Sequence, residues 1–174
     1  MKRTLTALFF LLLGTGALAA GPTKREALQA ISVLEKDVTS QKATEAAKTI
    51  VVFAQASDDV VVDIGPVQLP WVDEDWSVDK DVQQNFKSML MAAFVAGNIR
   101  SQLKNDRIED DTYSGWIFVI DTYNRLRSKT PFSSPSIEAL VKMQQDGSLL
   151  QHAKDAHISD DREDPAAPGR KGPA

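Results

Sequence analysis

The stretch "SMLMAAFVAGNI", residues 88–99, decides the fold. It is apolar on every side of a helix over about a dozen residues, fewer than the roughly 20 that cross a membrane. Such a helix has to be surrounded by other elements. Ala93 and Gly97 lie one turn apart on one face, which lets a second helix approach closely. The stretch therefore predicts the central buried helix of an all-α protein.

Capping signals on the N-terminal side predict a helical hairpin. Thr23 and Glu26 form a capping box ahead of apolar residues at helical spacing. Ser40 can cap a second helix at about residues 41–57. Residues 60–64 are β-branched except for Asp63, but no second strand-like run could pair with them, so we expect an extended segment lying on the core. The central helix then begins after Ser77 and ends near Asn105.

The C-terminal half also contains residues that start and stop helices. Asp110 or Asp111 can cap a helix that Pro131 ends. Ser134 starts a shorter helix and Gly147 is placed to stop it. A last helix in "SLLQHAKDAH", residues 148–157, would bring the count from five to six. We predict a compact bundle of five or six helices built from helical hairpins, over residues 20–157.

Both ends of the chain fall outside this domain. Lys2 and Arg3, the apolar "LTALFFLLLG" and the small-x-small site at residues 17–19 predict a signal peptide over residues 1–19. The alternative is an uncleaved anchor helix. Residues 158–174 are charged, proline-rich and nearly free of apolar side chains, which predicts a disordered tail. We therefore expect an exported protein, periplasmic or secreted, with no stable membrane insertion after cleavage.

Composition excludes several classes of function. The chain has 174 residues, of which 43% are hydrophobic and 25% charged, so it suits one soluble domain. It has no cysteine, which rules out disulfides, thiolate catalysis and zinc–thiolate sites. The net charge of −4 disfavours nucleic acid as a partner.

The acidic stretch "DEDWSVDKD", residues 73–81, carries oxygen-bearing side chains at every second position. This is the spacing of calcium ligands in an EF-hand loop. Val78 stands where that loop needs glycine and Gln84 where it needs glutamate. The alternative is that the carboxylates are solvated and lie favourably near the N-terminus of the next helix. The weak metal-ligand candidates are Asp73, Asp75, Asp79 and Asp81.

One tryptophan precedes this stretch and another lies within it. Trp71 follows Leu69 and Pro70, and we expect it to be buried as the anchor of the segment. Trp76 stands among carboxylates, and we expect it to be partly exposed and, with Glu74, to form a binding edge. Packing of both rings against the core is the alternative.

Catalytic motifs are absent from the sequence. His152 and His157 are five residues apart, which a helix does not bring onto one face. The acids of "EDD", residues 109–111, could act as an acid–base pair but more often cap a helix. We therefore expect binding rather than catalysis, and no cofactor.

Two stretches resemble known families. "VIDTYNRLRSKTP", residues 119–131, resembles the end of a tetratricopeptide repeat through Tyr123, Leu126 and Pro131, although the repeat spacing does not recur. Together with "AAFVAGNI", residues 92–99, it also resembles in order of elements the small exported immunity proteins of bacterial toxin systems. Those proteins usually carry disulfides, which this chain cannot form. The resemblance implies a protein that binds another protein.

The sequence therefore predicts an exported protein-interaction module that binds, inhibits or escorts another protein. The alternative is a small metal- or small-molecule-dependent enzyme with its site in the acidic loop 73–81.

Overall fold

The computed structural model describes residues 21–160, with side chains to residue 156, and this part of the chain is all-helical. The prediction of an all-α bundle is confirmed, with the larger helix count. The predicted signal peptide, residues 1–19, and residues 161–174 of the predicted tail lie outside the described residues. The six helices are α1 (Lys24–Lys36), α2 (Gln41–Ala56), α3 (Lys80–Asn105), α4 (Thr112–Lys129), α5 (Pro135–Asp146) and α6 (Leu149–Asp160).

Local capping explains where the first two helices begin. The Thr23 hydroxyl accepts from the Glu26 amide while the Glu26 carboxylate accepts from the Thr23 amide, which confirms the capping box. The Ser40 hydroxyl accepts from the Ala43 amide at 3.2 Å and starts α2. Both helices turn buried alanine and branched side chains toward each other, and they pack as the predicted hairpin.

Helix α3 is the central element. Every residue from position 92 to position 99 is buried, as an all-round apolar helix requires. It packs against α2 and α4, and it also touches α1.

Polar side chains at the C-terminal end of α3 organise one end of the bundle. Asn98 is fully buried; it donates to Asp110 at 2.6 Å and accepts from the Asp111 amide at 3.0 Å. Asp111 caps α4 by accepting from the Ser114 amide, whereas Asp110 accepts from the Asp63 amide. Residues 60–64, which are predicted to be extended, contain neither helix nor turn and are hydrogen-bonded to the bundle here.

Helix α5 begins and ends at the residues predicted from the sequence, and α6 follows it. The Ser134 hydroxyl caps α5, and Gly147 ends it in the left-handed conformation with φ of 83°. Helix α6 continues to Asp160, past the predicted domain boundary at residue 157. The His152 ring stacks on Trp116, with centroids 5.1 Å apart, and holds α6 against α4.

Within residues 21–160, no helix combines the length and the apolar character that a membrane span needs.

Candidate functional site

An apolar groove runs along the surface between α2 and α3, and we call it the α2–α3 groove. Its volume is about 520 Å³, within the range of about 300–1,000 Å³ typical of ligand pockets. It is lined by Val38, Thr39, Thr44, Ala47, Lys48, Val51, Val52, Asn85, Phe86, Ser88, Met89, Met91, Ala92 and Leu126.

One continuous face of α2 forms the first wall of the groove. Thr44, Ala47, Lys48, Val51 and Val52 recur at the three- and four-residue spacing of a single helical face. From Thr44 to Val52 this face is about 12 Å long at the α-helical rise. The wall is therefore about two turns long.

The first half of α3 forms the second wall. Phe86, Met89 and Ala92 share one face, and Leu126 of α4 also lines the groove. Met89 and Met91 have flexible thioether side chains that adapt to the shape of an apolar ligand. The two walls together give the groove a mainly apolar lining.

Among the described residues that line the groove, Lys48 is the only charged one. Its side chain is exposed and forms no ion pair with any residue between 21 and 156. The described lining residues include no carboxylate, so the lining carries a positive charge although the chain as a whole is acidic.

A cluster of aromatic rings joins the groove to the segment that precedes α3. The Phe86 and Phe132 ring centroids are 5.0 Å apart, and those of Phe132 and Trp76 are also 5.0 Å apart. Tyr123 meets Phe132 edge to face at 5.2 Å. The wall residue Phe86 is thus supported by Trp76 through one intervening ring.

Glu74 stabilises this cluster by accepting hydrogen bonds at the start of α5, which is distant in sequence. Its carboxylate accepts from the Trp76 indole at 2.9 Å, from the Ser136 amide at 2.8 Å and from the Ser134 hydroxyl. Ser134 and Ser136 begin α5, where a negative charge is stabilised by the helix dipole. The Lys87 ammonium donates to the Val72 carbonyl at 2.6 Å and to the Glu74 carbonyl, which ties the same segment to α3.

The environment of Glu74 shifts its protonation equilibrium. Partial burial by itself raises the pKa of this carboxyl, but hydrogen bonds from Ser134, Ser136 and Trp76 outweigh it and hold the pKa below its ordinary value. Glu74 is therefore a charged structural anchor at neutral pH.

The prediction that Trp76 is partly exposed is wrong. Its side chain is only 6% exposed, because Glu74 satisfies the indole N–H and Phe132 covers the ring. Trp71 is fully buried, as predicted. Neither indole supplies an exposed binding edge, and Glu74 is engaged with the start of α5.

The four candidate metal ligands do not converge. Asp79 caps α3, and its carboxylate accepts from the amides of Asp81 and Val82 at 2.9 and 3.2 Å. Asp73, Asp75 and Asp81 are exposed. Within residues 21–156, no group of three or more histidine or carboxylate side chains is arranged to hold a metal ion.

The other residues considered as acid–base or metal-binding candidates also have structural roles. Asp110 and Asp111 accept hydrogen bonds from Thr112, Ser114 and buried Asn98. His152 stacks on Trp116, and the side chain of His157 lies outside the described residues.

Comparison of the chain with family models, with curated proteins and with solved structures finds no match. The resemblances to tetratricopeptide repeats and to exported immunity proteins gain no support from these comparisons.

The α2–α3 groove was not predicted from the sequence. Ile50 and Phe53 are buried and belong to the core face of α2. Val51 and Val52 lie beyond that face, so the apolar surface of α2 is wider than the core face alone. This wider apolar surface is the feature of the sequence from which the groove could have been predicted.

Proposed function

We propose that this chain is an exported protein that acts by binding another protein, and that the α2–α3 groove is the binding site. The observation that carries the proposal is the groove itself, which combines an apolar lining with one unpaired cation, Lys48. Export rests on the signal-like residues 1–19.

The shape of the groove favours a helix as the occupant. Amphipathic helices bind by laying apolar side chains, spaced at three, four and seven residues, into a hydrophobic groove. The α2 wall offers partners for such a pattern at Ala47, Val51 and Val52 over about two turns. The occupant is thus an amphipathic helix of the partner protein.

The charge of the groove sets one further requirement on the partner. Lys48 lies between Thr44 and Val51 on the groove wall and has no carboxylate beside it in the lining. An acidic residue at the edge of the partner's apolar face would pair with it and fix the register of the bound helix.

Site-specific photo-crosslinking tests the proposal. The mature chain, residues 20–174, would carry a photoreactive phenylalanine analogue at position 51 in the groove, or at position 28 as a matched control. Leu28 is a suitable control because it is an exposed apolar residue on α1, outside the groove. Both baits would be irradiated with the exported fraction of the producing cells.

We expect a protein adduct from position 51 and none from position 28, and a weaker adduct when Lys48→Glu is added. Adducts at both positions would show unspecific contact. A small-molecule adduct at position 51 would replace the protein partner by a different ligand class, and either result would overturn the proposal.

A further inference from the structure

Methionine is the only sulfur-containing residue type in this protein, because the sequence has no cysteine. Four methionines occur, and Met1 belongs to the predicted signal peptide. Met89 and Met91 of α3 line the α2–α3 groove, whereas Met143 lies on α5, outside the described lining. A chain cleaved after residue 19 would therefore carry two of its three thioethers in the proposed binding site.

The groove methionines are distinguished by their position and not by their exposure. Met89 is 9% exposed and belongs to the hydrophobic core, while Met91 is half-buried. Met143 is also half-buried and packs against the same core. Met143 is thus a matched reference for Met91 at a place that the groove does not include.

The two groove thioethers supply part of the apolar surface that a partner helix would cover. Met89 shares one face of α3 with the wall residues Phe86 and Ala92. A thioether is flexible and polarisable, so it adapts to the apolar side chains of a ligand without requiring a hydrogen bond. This property depends on the sulfur remaining unoxidised.

Oxidation by a peroxide adds one oxygen atom to each thioether. A lone pair of the methionine sulfur attacks one oxygen of hydrogen peroxide, the S–O bond forms as the O–O bond breaks, and water leaves. The sulfur loses two electrons and the peroxide gains them. The product, methionine sulfoxide, is polar, and it disrupts cores and methionine-rich interfaces.

We propose that Met89 and Met91 form an oxidation switch, in which a peroxide converts them to sulfoxides and so prevents binding in the α2–α3 groove. The inference rests on the proposed function of the groove. A partner helix would bury the sulfoxide oxygens away from water, and burying a polar group without a hydrogen-bond partner is unfavourable. In the free protein the groove lies at the surface, where water hydrates these oxygens, so we expect the bundle to stay folded. Methionine sulfoxide reductases reverse the modification.

Photo-crosslinking with oxidised and unoxidised bait tests the inference. The bait is the mature chain, residues 20–174, with the photoreactive phenylalanine analogue at position 51. Hydrogen peroxide treatment would continue until peptide mass spectrometry shows sulfoxide at positions 89, 91 and 143. Catalase would then remove the peroxide before the bait is irradiated with the exported fraction, so that the partner itself is not oxidised.

Two variant baits separate the groove from the rest of the chain. One carries Met89→Leu together with Met91→Leu, and the other carries Met143→Leu. Leucine keeps an apolar side chain of similar volume and cannot form a sulfoxide.

We expect oxidation to lower the adduct yield of the unsubstituted bait about tenfold, because a buried unpaired polar group typically costs that much affinity. The Met143→Leu bait should lose its adduct to the same extent, and the double-leucine bait should keep it. The circular dichroism should stay that of the untreated protein. Methionine sulfoxide reductase should restore the adduct.

Several outcomes would overturn the inference while the proposed function stands. One is an equal adduct yield before and after oxidation, with sulfoxide shown at both groove positions. Another is loss of the adduct from the oxidised double-leucine bait, or loss of helical circular dichroism on oxidation, because the effect would then lie outside the groove or in unfolding. Resistance of Met89 and Met91 to peroxide would have the same meaning. No adduct from the unoxidised bait would instead overturn the proposed function, and this inference with it.

Discussion

Gly97 of α3 and Gly115 of α4 meet where the two helices cross. A Cβ atom added to Gly97 would lie 2.9 Å from the Gly115 Cα and closer still to the Ser114 carbonyl oxygen. A Cβ atom added to Gly115 would lie 2.6 Å from the Phe94 ring. Each glycine is therefore required by the helix that faces it, and the crossing has no room for a methyl group.

The first prediction concerns this crossing. Gly97→Ala should lower the free energy of unfolding by about 1–3 kcal/mol, because overpacking forces neighbours off their preferred positions. Gly97→Leu should cost more. Urea denaturation measures both, with Gln84→Leu at an exposed position of α3 as the control. An unchanged midpoint for Gly97→Ala would show that the helices separate easily.

The second prediction compares the two tryptophans. Both rings are buried, so Trp71→Ala and Trp76→Ala should each cost about 3–5 kcal/mol. Replacement by Phe should distinguish them: Trp76→Phe loses the hydrogen bond to the Glu74 carboxylate, worth about 1.5–3 kcal/mol, whereas the Trp71 indole N–H has no protein partner within the described residues. Equal losses for the two Phe variants in chemical denaturation would contradict the role given to Glu74.

The third prediction is a pH dependence that Glu74 carries. Its folded-state pKa lies below its unfolded value, so its contribution to stability is present above about pH 4.3 and disappears as the pH falls through the folded pKa. The stability difference between wild type and Glu74→Gln should therefore be largest near neutral pH and shrink in acid. Asp73→Asn, at an exposed position in the same segment, is the control. A constant difference between pH 7 and pH 3 would show that the charge of Glu74 is not stabilised by α5.

The sequence predicted those features that depend on neighbouring residues. Thr23, Ser40 and Ser134 cap helices because their hydroxyls reach amides three residues away, and Gly147 ends α5 because glycine tolerates a positive φ. The central helix was also predictable, since an apolar surface on every side leaves no solvent-facing direction.

Trp76 shows where such reasoning fails. Its sequence neighbours are carboxylates, which suggested exposure. Its burial depends on the contact between Glu74 and Ser134, which are 60 residues apart, and on Phe132. The α2–α3 groove was missed for a related reason: the periodicity of Val51 and Val52 does not distinguish an apolar residue that faces the core from one that faces a groove.

The fourth prediction concerns processing. If the chain is exported as proposed, the purified protein should begin at Ala20 or within one or two residues of it, because Ala17 and Ala19 match the small-x-small pattern of a cleavage site. Mass spectrometry of the intact exported protein checks this. An intact Met1 in that fraction would mean that residues 1–19 act as an anchor.

The last prediction concerns Gln102, whose side-chain amide forms hydrogen bonds with both the N–H and the C=O of Val61. Gln102→Leu keeps a similar side-chain volume but removes both hydrogen bonds to Val61 and the donor to Asn98. Backbone groups left without partners cost about 1–3 kcal/mol, so the urea midpoint should fall by that amount with an unchanged slope. Amide exchange should rise at Val61 and remain slow in α1, since the capped hairpin does not depend on this bond. If Val61 stayed protected in Gln102→Leu, another group would hold the segment, and the role given to Gln102 in fixing residues 60–64 would be wrong.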